Sequence, residues 1–250
     1  MSSARGQSFV LGLLGVLLFL AAWEVIGTYR LAGLTWPPLS TVLVFLSTPA
    51  KMPLFGRAAG ASFTSVAIGY VCGGFGGLAL ALVSHLIAAV RPGLDRLVAV
   101  IHAIPSIALA PLLIVLASAD ATPPVISGLG VGYIFYVAAT SGLSTASASH
   151  RDLFAVLGAN RLSTTLRLDL PSALPAIATA MKLSVPIAFI GAIIGEWFGA
   201  SRGLGLLIVS AMQNFQIPLL WSAVLITAVA SLCMFAIFSG LERLVQERMR

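Results

Sequence analysis

Charge is what this sequence has least of. Lysine and arginine number 14 and aspartate and glutamate 8 in 250 residues, 9% of the chain against 59% hydrophobic, where soluble domains carry roughly 25% charged residues. So few charges cannot coat a soluble globule of this size, so lipid must replace water over most of the exterior. Cysteine is nearly absent, and Cys72 and Cys233 both fall in apolar runs. That excludes a disulfide framework and casts them as small packed hydrophobes. There are 3 histidines, and none clusters with an acid at ligand spacing, so no metal site is expected. A phosphate-cradling loop needs glycine before its lysine, and neither Lys51 nor Lys182 has one. The chain is therefore not expected to hydrolyse ATP or to bind a cofactor itself. Its net charge of +6 and pI near 10 are spread along the chain without zinc-finger or aromatic-basic spacing, which argues against nucleic acid.

What is present is a series of apolar runs, near 8–27, 60–83, 96–118, 123–145, 176–198 and 218–240. A spanning helix needs about 20 such residues, so the pattern predicts an all-α membrane protein of about six transmembrane helices. The first run has no A-x-A cleavage signal and reads as a retained helix rather than a signal peptide. Residues 1–59 form an N-terminal helix plus an external segment, and 60–245 the transmembrane core. Placing the N-terminus in the cytoplasm puts Arg5, Arg91, Arg96, Arg151, Arg161, Arg167, Arg243, Arg248 and Arg250 inside. Arg30, Lys51, Arg57 and Arg202 then lie outside, the bias expected of membrane proteins. Lys182 should snorkel to the cytoplasmic face.

Gly69, Gly73 and Gly77 recur at four-residue spacing in the second span, a stripe that lets helices approach closely. Pro105, Pro111 and Pro186 interrupt the third and fifth spans, tolerable where protein or a polar route satisfies the freed carbonyls. His102 and Ser106, four apart, are expected to share a helix face. With Pro105 and Glu196 they form the candidate translocation pathway, although Glu196 reads equally as a headgroup-facing carboxylate and the His-Ser pair as a helix contact. Glu24 reads as an interfacial anchor, and His85 and His150 as juxtamembrane residues of no special duty.

The polar stretch 146–175 is too long for a simple turn. Asp152 is expected near the start of a short helix, where its charge suits the dipole. Leu153, Phe154, Val156 and Leu157 give that helix an apolar face with no membrane to enter, Gly158 ends it in the left-handed conformation, and a second short helix runs to a break at Pro171. An apolar helix-turn-helix facing the cytoplasm calls for a protein groove.

This stretch resembles the EAA loop of permease subunits in binding-protein-dependent (type I) ABC importers, E-A-A-x3-G-x9-I-x-L-P. Asp152-Leu153-Phe154 is followed after three residues by Gly158-Ala159, then Leu168, Leu170 and Pro171. Asp152, Leu153 and Phe154 depart from the pattern's residues. Ile104 to Leu112 and Gly195 to Ala200, leading to Gly203-Leu204-Gly205, are similar to the aliphatic-sulfonate, taurine and nitrate permease subgroup. The resemblance implies a six-helix, MetI-like permease fold in the bacterial plasma membrane, paired with a second copy as a homodimer. It further implies two ABC ATPase subunits that bind ATP and magnesium and dock through Asp152, Leu153, Phe154, Ala155, Gly158, Ala159, Leu168, Leu170 and Pro171. A separate extracytoplasmic binding protein would deliver a small polar or anionic solute: a sulfonate, taurine, nitrate, or a pyrimidine or vitamin precursor. The alternatives are a secondary transporter or channel without an ATPase, which would leave the loop unexplained, and an intramembrane hydrolase built on His102 and Ser106.

Overall fold

In a computed structural model, residues 2–249 are described; Arg250, one of the cations expected in the cytoplasm, lies outside them, and so do the side chains of residues 1–6, 8 and 9, Arg5 included. The elements are α1 (Ser2–Thr28), α2 (Leu39–Leu46), α3 (Met52–Leu86), α4 (Arg91–Ala103), α5 (Ser106–Leu116), α6 (Thr122–Gly142), α7 (Ala148–Val156), α8 (Arg161–Thr164), α9 (Leu170–Trp197), α10 (Leu204–Gln213) and α11 (Ile217–Arg248). No strand occurs among the described residues. Five helices are long and apolar enough to cross a membrane, and α4 with α5 makes a sixth candidate bent by 97°.

α6 is the centre of the bundle, packed between α3 and α9, with α11 on the far side of α9. Glycine explains how closely these helices approach. A Cβ on Gly69 would sit 2.6 Å from the Pro124 carbonyl and the Ser127 side chain, and one on Gly73 or Gly77 would strike the backbone of Gly128 or Gly132. On its other face α6 meets α9, where a Cβ on Gly191 or Gly195 would strike Ser127 or Pro123. Around these contacts Val66, Val131, Phe135, Val185 and Phe189 form the largest apolar cluster.

The third apolar run is not one straight helix. Proline disfavours the helical region for the residue before it, and Ile104 is extended (φ −73°, ψ 123°) ahead of Pro105. The chain turns there and restarts at Ser106. Pro171, in contrast, makes no break. It sits in the first turn of α9, and a π-helical turn at Thr165–Asp169 precedes it. The wider turn lets Arg161–Trp197 run on as one span. α3 starts at Met52, so the expected boundary at residue 60 falls inside a helix. The segment between α1 and α3 holds α2, which lies against α11. Cys72 and Cys233 are exposed on the surface of the chain, not packed in its core, because each falls on an outward stripe of its helix.

The two ends of the bundle differ in charge. Arg91, Arg96, Arg151, Arg161, Arg167, Arg243 and Arg248 belong to the end that carries α7, and Arg30, Lys51, Arg57 and Arg202 to the opposite end. Lys182 does not snorkel to water: it bonds to Glu242 of α11, which also accepts from the Thr179 hydroxyl at 2.6 Å. With side chains 19% and 9% exposed, the pair fastens α9 to α11 inside the bundle.

Candidate functional site: the loop between α6 and α9 and the clamp at the opposite end

Local signals build the loop. Ser147, not Asp152, starts α7: its hydroxyl accepts from the His150 backbone N–H at 3.3 Å. Asp152 is therefore in the second turn, away from the N-terminal dipole. At the other end Gly158 takes φ +71°, and the Gly158 and Ala159 N–H groups donate to the Ala155 and Phe154 carbonyls at 3.0 Å each. That pair of bonds is the Schellman closure of a helix. Asn160 then caps α8, accepting from Ser163 N–H at 2.8 Å.

The loop is tied to three spans. Asp169, buried at the π turn, accepts from His85 Nε2 at 2.9 Å and from the Arg151 guanidinium at 3.2 Å. The same guanidinium donates to the Leu143 carbonyl at the end of α6 at 3.0 Å. Arg161 donates to the His85 carbonyl at the end of α3 at 2.7 Å. His85 thus has a structural duty that its position in the sequence concealed, whereas the His150 ring bonds, among the described residues, to Ser147 within its own turn. α7 buries none of its own residues, and Leu153, Val156 and Leu157 are 52%, 84% and 72% exposed. Leu168, Leu170 and Pro171 lie half-buried where the loop enters α9.

The four candidate pathway residues do not converge. The break at Pro105 separates His102 from Ser106, so they share no helix face. His102 stacks on Tyr133 of α6, centroids 3.6 Å apart and planes within 4°, and alone of the four lines a cavity of about 460 Å³ beside Gly73 and Gly77. Ser106 is exposed at the start of α5.

Glu196 belongs to the opposite end and faces neither headgroups nor an open cavity, being 1% exposed. It accepts from Ser62 Oγ of α3 at 2.9 Å and from Gly205 N–H at 2.7 Å, while Ser62 accepts from Leu204 N–H at 2.8 Å. α10 begins after Gly203, which has no side chain to cap it. Ser62 and Glu196 satisfy its first N–H groups from elsewhere in the fold. Gly203, at φ +140°, lies against the Glu196 carboxylate. Glu24 plays the same part for α2, accepting from Ser40 N–H at 2.9 Å and Ser40 Oγ at 2.6 Å. Beside the Glu196 clamp lies a cavity of about 800 Å³ with Arg57, Thr64, Asp120, Ser201 and Arg202 in its wall. The Ser201 hydroxyl and backbone N–H hold the Asp120 carboxyl below the usual aspartate range, with a smaller pull from Arg202.

α10 and both capping arrangements were missed in the sequence. A ten-residue apolar helix falls below spanning length, and caps supplied from distant helices leave no local motif.

Comparison with known proteins agrees with this architecture. Residues 73–250 match the family described as binding-protein-dependent transport system inner membrane component. An ABC transporter permease protein of Haemophilus influenzae is 30% identical over 225 residues, covering 89% of this chain and 90% of the relative. The formylaminopyrimidine transport permease protein ThiX of Halalkalibacterium halodurans is 27% identical over 231 residues, 92% of each chain. A chain of the MetNI methionine ABC transporter in an inward-facing conformation superposes with a TM-score of 0.68 at 16% identity, covering 79% of this chain and 99% of that one. That last likeness speaks for the fold alone. The chain belongs to the binding-protein-dependent transport family, as a multi-pass inner-membrane permease subunit of a type I ABC importer.

Proposed function

We propose that this chain forms, with a second copy of itself, the channel of an importer driven by two ABC ATPases, and that α7 is where each ATPase docks. The N-terminus and the α7 end then lie in the cytoplasm, in keeping with the seven cations gathered there against four at the other end. ATP and magnesium bind the ATPases, and this chain supplies the mechanical link. The observation that carries the reading is α7 itself, an apolar face held out from the bundle on a braced stalk. Burying Leu153, Val156 and Leu157 in a groove yields roughly 4.5–6 kcal/mol at about 1.5–2 kcal/mol per side chain.

The bracing supports transmission as well as docking. Arg151 links α7 to the end of α6 and, through Asp169, to the start of α9; Arg161 links the loop to α3. A shift of α7 driven by nucleotide-dependent closure of the ATPases therefore moves the ends of three tightly packed spans together. ATP and the loaded binding protein each shift the equilibrium only as far as they prefer the outward-facing form. The 800 Å³ cavity at the opposite end, and His102, Pro105 and Ser106 along the bent third span, are candidates for the solute route. Glu196 acts there as a fastener for α10 rather than as a solute contact. The solute is a small polar or anionic molecule of the sulfonate, taurine, nitrate or pyrimidine type, the last being the class carried by the formylaminopyrimidine permease of Halalkalibacterium halodurans.

The test is reconstitution with the co-purifying ATPase and binding protein in liposomes. Uptake must require ATP on the ATPase side. Uptake at full rate by this chain alone, without ATP, would overturn the reading.

A further inference from the structure

A notch of about 270 Å³ lies between α7, the end of α3 and the π turn, with His85, Arg151, Arg161, Thr165 and Asp169 in its wall. Two of its buried donors have no partner: the Thr165 hydroxyl, on a residue 1% exposed, and Nε of Arg151. A threonine in a helix ordinarily returns its hydroxyl to a carbonyl one turn back, as Thr164 does to Asn160 at 3.2 Å. The Thr165 hydroxyl makes no such bond. The one carboxylate present, Asp169, is already committed to His85 and Arg151. Leaving a buried donor unpaired is costly, and these donors, flanked by two guanidinium groups, match an acceptor with several oxygens and negative charge.

We infer that this notch binds a phosphate group, as inorganic phosphate or as the phosphodiester of an anionic lipid headgroup, and so fastens α7 to the ends of α3 and α9. The lipid source fits its place at the membrane edge of the basic end, where juxtamembrane cations meet anionic lipid. Occupancy would add oxygen bridges to a brace that otherwise rests on Asp169 and on the two arginine bonds to the Leu143 and His85 carbonyls.

The full chain is purified into nanodiscs, which leave both faces open, so the outcome does not depend on membrane orientation or on the ATPase. In phosphatidylcholine discs, phosphate is titrated at constant ionic strength against chloride. In parallel, discs containing phosphatidylglycerol are compared with phosphatidylcholine discs, and retained phosphatidylglycerol is counted by native mass spectrometry. Thr165→Val exchanges the orphan hydroxyl for a methyl of equal size, and is expected to fold at least as well as the parent. Arg161→Gln is the second variant.

A free-anion site raises the melting temperature by about 3–6 °C at ten times the dissociation constant, with the rise lost in both variants. A headgroup site shows the phosphatidylglycerol-dependent rise and retained lipid, both lost in the variants, with no further response to phosphate. No rise from either source, or a rise undiminished in both variants, identifies a water-filled notch and overturns the inference.

Discussion

Replacing Gly158 isolates a backbone penalty from a steric one. The residue has φ +71°, yet a Cβ added there meets no atom within 4 Å. The left-handed conformation costs an L-residue about 1–2 kcal/mol, more for a β-branched one. That lowers the equilibrium constant for closing the α7–α8 elbow about 5–30-fold, since 1.4 kcal/mol is a factor of ten. α7 buries no residue of its own, so little packing energy exists to hide the loss. A partner that binds only the closed elbow pays for the smaller competent fraction in apparent affinity. The expected order of ATPase affinity is Gly158, then Gly158→Asn, Gly158→Ala and Gly158→Val, because asparagine tolerates this region. The assay is titration of the ATPase onto the permease in nanodiscs, with the melting temperature of the permease monitored alongside. Gly158 touches nothing in the bundle, so the melting temperature should hold while affinity falls several-fold. Undiminished affinity in Gly158→Val, or Gly158→Asn binding as weakly as Gly158→Val, would refute the reasoning.

Glu196→Ala strips the Gly205 N–H and the Ser62 hydroxyl of their acceptor, and is expected to destabilise the α9–α10 corner by roughly 2–4 kcal/mol, seen as a lower melting temperature. Glu196→Gln keeps an acceptor for both and should lose far less. Gly73→Val drives a side chain into the Gly128 backbone. Overpacking of this kind costs about 1–3 kcal/mol or more, so folded yield after membrane extraction should drop well below that of Gly76→Val, where a Cβ meets open space. Neutralising only one of Lys182 and Glu242 leaves an unpaired charge inside the bundle, whereas the double change Lys182→Met with Glu242→Leu removes both. The double variant should therefore melt above at least one of the single variants.

Hydropathy alone located the five long spans and the bent sixth candidate, because apolar length is a local property and each run exceeds what a soluble helix needs. The four-residue glycine stripe pointed to a close helix contact on α3, but could not say that Gly128 and Gly132 of α6 receive it. The loop was legible through Gly158, whose left-handed turn depends on that residue alone. Its start was misplaced, since Ser147 caps α7 five residues ahead of Asp152, the acid expected near the helix start. Pro105 and Pro171 show why one residue type gave two outcomes: Ile104 had freedom to extend, whereas the turn ahead of Pro171 could widen. The contacts that fix Glu196, His85 and Lys182 join residues 9 to 134 positions apart, and no periodicity in one chain encodes such pairings.

The most direct test of the central claim uses one cysteine on α7. Val156, 84% exposed at the tip of the helix, is changed to cysteine after Cys72 and Cys233 are replaced by serine. A membrane-impermeant maleimide is then applied to intact spheroplasts and to inverted membrane vesicles, with and without the ATPase co-expressed. Labelling only in inverted vesicles, and its loss when the ATPase is bound, is the predicted result. Labelling of spheroplasts, or equal labelling of inverted vesicles with and without the ATPase, would contradict the account.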